Sequence, residues 1–135
     1  MKTLEKLVTE HQANTRPATS ASIDALQERL GFALSPEYKS FLSTFGVIAF
    51  DAYETYGLGV PDDYYLNALN SFKDLSADPS YPQNALPLLE IGDGQYYLYD
   101  NKSQQVLLWA TPNGGVIRVL DEGLEQFLIK HIFAE

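Results

Sequence analysis

The groups in this chain that can move protons or bind metals are 18 carboxylates, two histidines and nine tyrosines, with no cysteine among 135 residues. The missing thiol removes disulfides, thiolate metal sites and thiol nucleophiles. Two carboxylates sharing a cleft would suit acid/base work. Asp62 and Asp63 are adjacent, and neighbours on a helix diverge by about 100°. Asp93 and Asp100 bracket a strand and fall near its opposite ends. His11 and His131 each lack a second histidine three or four residues away, so the helical zinc spacing is absent. His131 falls on an apolar stripe and reads as a packed structural side chain. Gly57-Leu58-Gly59 lacks the third glycine of a dinucleotide fingerprint. Gly92-Asp93-Gly94 leads to no Gly-Lys-Ser/Thr. No Gly-x-Ser-x-Gly elbow and no calcium-loop alternation of Asp and Asn occurs. The expectation is a protein with no catalytic residue, no metal and no cofactor, and hence not an enzyme.

Charge distribution points elsewhere. The net charge is −9, which disfavours direct nucleic-acid binding, because phosphates need a basic surface. Residues 46–100 hold nine acidic side chains and one basic one, Lys73, so they carry nearly all of the excess. The same stretch holds eight of the nine tyrosines. Carboxylates steer encounter with a basic protein, and tyrosine rings supply contact area. The competing reading is a solvated acidic face with tyrosines in strands and core.

The elements that must position these side chains follow from periodicity. Residues 3–12 are expected to be helical, with Leu4, Leu7 and Val8 on one stripe. Asn14 to Ser22 is a polar connector. A second helix carries Ile23, Leu26 and Leu30, with Ser22 as cap and Gly31 as stop. In the third, Ser35 caps, Pro36 takes the first helical position, Tyr38, Phe41, Leu42 and Phe45 form the stripe, and Gly46 stops it. Val47 to Phe50 and Tyr53 to Val60 read as strands, and residues 62–74 as a helix opened by Asp62-Asp63. After a loop over 77–83, strands are expected at 86–91, 95–99, 105–110 and 116–120, with a turn at Gly92-Asp93-Gly94. Asp121 is placed to cap a last helix bearing Leu124, Phe127, Leu128 and Ile132. This order predicts the α+β class, in one domain spanning 1–135.

Several of these motifs, in this order, resemble the SUKH superfamily, the SMI/KNR-like proteins that include a yeast cell-wall regulator and many small bacterial proteins. Leu34-Ser35-Pro36-Glu37-Tyr38-Lys39-Ser40-Phe41-Leu42, ending at Gly46, is similar to the family's capped helix. Tyr56-Gly57-Leu58 resembles its aromatic-Gly-Leu. Leu86-Pro87, Gly92-Asp93-Gly94 and a strand ending at Asp100 resemble its central hairpin, and Leu124-Glu125-Gln126-Phe127-Leu128 its closing helix. The family often has Asn-Gly at the end of the capped helix; Phe45-Gly46 stands here. The resemblance implies a single domain with a strongly bent, mainly antiparallel sheet flanked by N-terminal, middle and C-terminal helices. It also implies a role as a bacterial immunity protein that neutralises a polymorphic toxin, often a nuclease, by binding it.

The partner expected is therefore a basic cognate toxin, bound through an acidic, tyrosine-rich surface. The contact candidates are Asp62, Asp63, Tyr64, Asp74, Asp93 and Tyr97. The alternative is a regulatory or scaffolding module that binds an endogenous protein or a small ligand in the concavity of the sheet. Lys2, Glu5, Lys6 and Glu10 interrupt the N-terminus, where a signal peptide needs about 7–15 apolar residues. No membrane partner is expected, and the expected location is the cytoplasm. The sequence leaves the oligomeric state open.

Overall fold

The computed structural model describes residues 1–134. Helix α1 (Lys2–Glu10) buries Leu4 and Leu7. It leads into β1 (Asn14–Thr15), a two-residue strand where a plain connector was expected. α2 (Ser20–Leu30) is capped by Thr19, whose side chain accepts from the Ser22 amide at 3.1 Å. Ser22, the expected cap, lies in the first turn and donates its own hydroxyl to the Thr19 carbonyl. Gly31 ends α2 in the left-handed conformation, φ +78°.

α3 (Pro36–Thr44) is built as its residues dictate. Ser35 Oγ accepts from the Tyr38 amide at 3.1 Å, and Pro36 occupies the first turn. The cap reaches across the fold. Tyr99 Oη lies 2.6 Å from both Ser35 Oγ and Glu37 Oε1. A carboxylate only accepts, so the Tyr99 proton goes to Glu37 and Ser35 donates to Tyr99. Asn101 completes the tie by accepting from the Ser35 amide at 2.9 Å.

β2 (Ile48–Phe50) pairs antiparallel with β1 and with β3 (Tyr53–Glu54), making a three-stranded sheet. β3 was expected to run to Val60 but ends at Glu54, because the backbone changes partner there. The Thr55 amide still bonds to Ile48, whereas the Tyr56 amide turns to the Leu88 carbonyl at 2.9 Å. Leu88 belongs to β4 (Ala85–Gly92), so this bond joins the first sheet to the second. That second sheet has the order β4-β5-β6-β7, with β5 (Gln95–Asp100), β6 (Gln105–Ala110) and β7 (Gly115–Val119) all antiparallel.

β4 carries two register shifts against β5, between Pro87 and Leu89 and between Glu90 and Gly92. Each inserts a residue that bends the strand and increases its twist. The α+β class predicted from element order is the class observed. One face of the four-stranded sheet packs Leu86, Leu88, Tyr99 and Val106 against the helices. The other packs Ala85, Leu98, Leu107 and Trp109 under Leu75 and Tyr81. β7 lies at the end of the sheet and exposes Val116, Ile117, Arg118 and Val119 in succession.

α4 (Ala68–Leu75) is shorter than the helix expected over 62–74. It starts only after Asn67, whose Oδ1 caps the Asn70 amide at 3.0 Å. Just before it, Gly57 ties the chain down. The Gly57 amide donates to the Leu66 carbonyl at 2.9 Å, and the Ala68 amide donates to the Gly57 carbonyl at 2.8 Å. Residues 58–66 are thus a loop closed at its neck, and Asp62-Asp63 lie in its turn rather than in a helix. α5 (Leu124–Phe133) begins after Gly123, with no side-chain cap, so Asp121 does not serve as one.

Crowding explains the glycine motifs. A Cβ on Gly46 would strike the Arg16 and Leu58 carbonyls, one on Gly57 the Gly46 carbonyl, and one on Gly59 the Arg16 carbonyl. Three backbone segments cross at this point with no room for a side chain.

Candidate partner-binding surface

The neck at Gly57 sets the site. It projects Asp62, Asp63, Tyr64 and Tyr65 from one loop, all exposed. The Tyr64 and Tyr65 rings lie 4.7 Å apart. The Tyr65 hydroxyl donates to the Glu54 carboxylate, 2.7 Å and 2.6 Å from its two oxygens, which ties the loop to the edge of β3. That bond, followed by slight burial and the Tyr64 hydroxyl, pushes the Tyr65 phenol well above its usual range.

Beneath the loop, Tyr56 packs with Val47 and Leu66, and Tyr96 packs against this cluster. Glu90 pairs with Tyr96 across the β4–β5 ladder. Burial first, then the Glu90 carboxylate beside them, raises the phenol pKa of both Tyr56 and Tyr96. Glu54, Tyr56, Tyr64, Tyr65, Glu90 and Tyr96 therefore form a connected band of carboxylates and phenols, edged by Asp62 and Asp63. Phenols kept protonated next to carboxylates are donors held in place, and the carboxylates remain acceptors for a partner's cations.

The six residues singled out from the sequence are distributed unequally. Asp62, Asp63 and Tyr64 share the loop. Asp74 lies in the last turn of α4, and Asp93 sits at the β4–β5 hairpin tip with φ +54°. Tyr97 points to the sheet face opposite Tyr96, as strand alternation requires. There its ring packs 4.9 Å from Phe127 and 5.0 Å from His131. The band's members Glu54, Tyr56, Tyr65, Glu90 and Tyr96 were not singled out. A two-residue turn would place Glu90 opposite Tyr97, and the register shift after Glu90 moves it opposite Tyr96. Nothing in sequence spacing announces the Tyr65–Glu54 bond.

His131 is packed, 4.3 Å from the Phe127 ring and 3.8 Å from Glu122. Burial lowers its pKa, and the Glu122 carboxylate pulls it part of the way back. A lowered value means that the fold favours neutral imidazole. The associated stability is present above the unfolded value, about 6.5, and is lost as pH falls through the lower folded value. His131→Phe should therefore lose less Tm than the parent protein between about pH 7 and pH 5, the range around that unfolded value. Thermal melts at the two pH values measure this, and equal losses would assign the acid sensitivity to other groups.

Among the described residues no group of three His, Cys, Asp or Glu is placed to hold a metal ion. Nor is any of their helices long and apolar enough to cross a membrane.

The fold and its motifs define a class, the SUKH-type α+β domain. The model of the SUKH_5 family, described as SMI1-KNR4 cell-wall, matches residues 1–133, and the chain belongs to this family. Among solved structures the chain is similar to a protein from Pseudomonas syringae pv. tomato. That match covers 100% of both chains with a TM-score of 0.81 at 13% identity, and it shows a shared fold. No curated protein matches the chain.

Proposed function

We propose that this protein is a non-enzymatic immunity protein that neutralises a cognate basic toxin by direct binding in the bacterial cytoplasm. The observation that carries this reading is the exposed pair Tyr64 and Tyr65, tied to the Glu54 carboxylate and edged by Asp62 and Asp63. A nuclease toxin must present Lys and Arg to hold phosphates, and an acidic face competes for those groups. Family membership supports the reading, and the net charge of −9 supports the steering. Asp62, Asp63 and Tyr64 are the sequence candidates nearest the band. Asp74, Asp93 and Tyr97 would act as outlying contacts.

The test starts from the neighbouring reading frames, where this reading expects a toxin gene. Co-expression should rescue growth, and the purified pair should form a complex. Tyr65→Ala should raise the Kd at least about 30-fold, the effect of removing a central aromatic anchor. Asp62→Lys with Asp63→Lys should slow association, and the parent on-rate should fall steeply from about 0.05 to 0.5 M salt. Failure of rescue with no complex defeats the immunity reading. A complex whose on-rate ignores salt defeats the charge-steering part.

A further inference from the structure

We propose that the cleft between α2, the Leu58–Asp62 loop and α4 binds a small organic anion, an oxyanion carried on an apolar body. The cleft holds about 560 Å³, within the range of roughly 300–1,000 Å³ typical of small-molecule sites. Of its lining residues only Asp62 is shared with the edge of the tyrosine band.

Its chemistry runs against that of the chain. Only nine of 135 residues are basic, yet Arg29 from α2 and Lys73 from α4 line this one cleft, with Asp62 as its single carboxylate. Neither cation forms an ion pair or hydrogen bond among the described residues. The helices offer them no relief, because a cation is paired within a helix from three or four residues away. Arg29 has Ala25 and Leu26 at those positions, and Lys73 has Leu69 and Asn70, all of which line the same cleft. Each cation therefore stands at the end of a stripe that forms a wall.

A second observation is independent of charge. Asn67 lines the cleft and is 4% exposed. Its Oδ1 is spent on the Asn70 amide, while its Nδ2 donates to nothing among the described residues. That Nδ2 is open to the cleft, since Tyr38 Oη is the one enclosed side-chain polar atom without a partner among the described residues, and an oxyanion there would accept from it and from the two cations. Leu26, Leu58 and Leu69 supply the apolar floor. Asp62 at the lip opposes a second negative charge and favours a ligand with one anionic end.

Phenyl phosphate and benzoate serve as probes for the two oxyanion sources, with inorganic phosphate and benzyl alcohol as controls. Titration is followed by backbone NMR shifts. The expected result is saturable movement of the Arg29, Asn67 and Lys73 signals by at least one organic anion. Whichever of phenyl phosphate and benzoate binds tighter identifies the source as phosphate or carboxylate. Arg29→Gln and Lys73→Gln should each weaken binding about tenfold, the loss of one charge-assisted contact. Lys73→Arg should retain binding, Lys130→Gln should leave it unchanged, and Asp62→Asn should tighten it. The inference is overturned if no probe shifts these signals up to about 10 mM, a Kd scale already too weak for a built site. It is equally overturned if inorganic phosphate binds as well as the organic anions or if Lys73→Gln has no effect. Toxin neutralisation is measured separately on the Arg29 and Lys73 variants, which touch no residue of the tyrosine band, so neither result depends on the other.

Discussion

Gly57→Ala is expected to cost about 3 kcal/mol or more and to leave much of the protein unfolded at working temperature, because the new methyl group meets backbone and not a movable side chain. The obstacle is the Gly46 carbonyl, itself held by a bond from the Leu58 amide at 3.1 Å. The same Gly57 residue closes the neck of the 58–66 loop, so the substitution should also loosen Tyr64 and Tyr65. Gly46→Ala is the matched test. Gly46 and Gly31 share nearly the same positive φ, +72° and +78°, but Gly31 has open space around it. Gly31→Ala should therefore lose only the left-handed penalty of about 1–2 kcal/mol. Gly46→Ala should lose that and the steric term. Urea denaturation of the three variants measures the differences, and equal losses at Gly31 and Gly46 would refute the crowded crossing.

The second large effect is expected at Trp109, the only tryptophan in the chain. It is fully buried under the 77–83 loop, with the Tyr81 ring at 5.1 Å and the Tyr96 ring at 6.0 Å. Its Nε1 donates to Ser80 Oγ at 3.1 Å, and Asp78 fixes the loop by accepting from the Ser80 amide at 2.8 Å and the Thr111 hydroxyl at 2.5 Å. Those two bonds, Thr111 first, hold the Asp78 carboxyl below its usual range. Trp109→Ala removes the largest side chain from this face of the sheet and should cost about 3–5 kcal/mol. Trp109→Phe keeps much of the ring packing, loses the bond to Ser80, and should cost less. Circular dichroism melts measure both. A Trp109→Ala protein as stable as the parent would mean that the loop collapses into the space at no cost.

Local chemistry made α3 readable, since Ser35, Pro36 and the Tyr38-Phe41-Leu42-Phe45 stripe all act within one short segment. The hairpin turn at Asp93-Gly94 was readable for the same reason. Cap choice was harder where two hydroxyls compete, and Thr19 displaced Ser22 because both bond to the same turn. The start of α4 was hidden because Ala68 is tied to Gly57, eleven residues earlier in the chain, and not to Asp62-Asp63. The same limit governs the surface. Charge and tyrosine counts single out residues 46–100, the stretch that supplies the band. The grouping of Glu54 with Tyr65 and of Glu90 with Tyr96 depends on a closed loop and a register shift, which no periodicity encodes. Tyr97 illustrates the converse: its neighbour Tyr96 joins the band, and alternation sends Tyr97 to the other face.

β7 leaves a lasting mark on how the molecule behaves in bulk. Among the described residues no strand pairs with its outer row of amides and carbonyls, and Val116, Ile117 and Val119 stand uncovered beside that row. Such a border templates the addition of further chains, and here a single guanidinium, Arg118, is the guard. Edge pairing through this one five-residue strand is the expected first route to self-association at high concentration, and salt that screens the mutual repulsion of copies is expected to favour it.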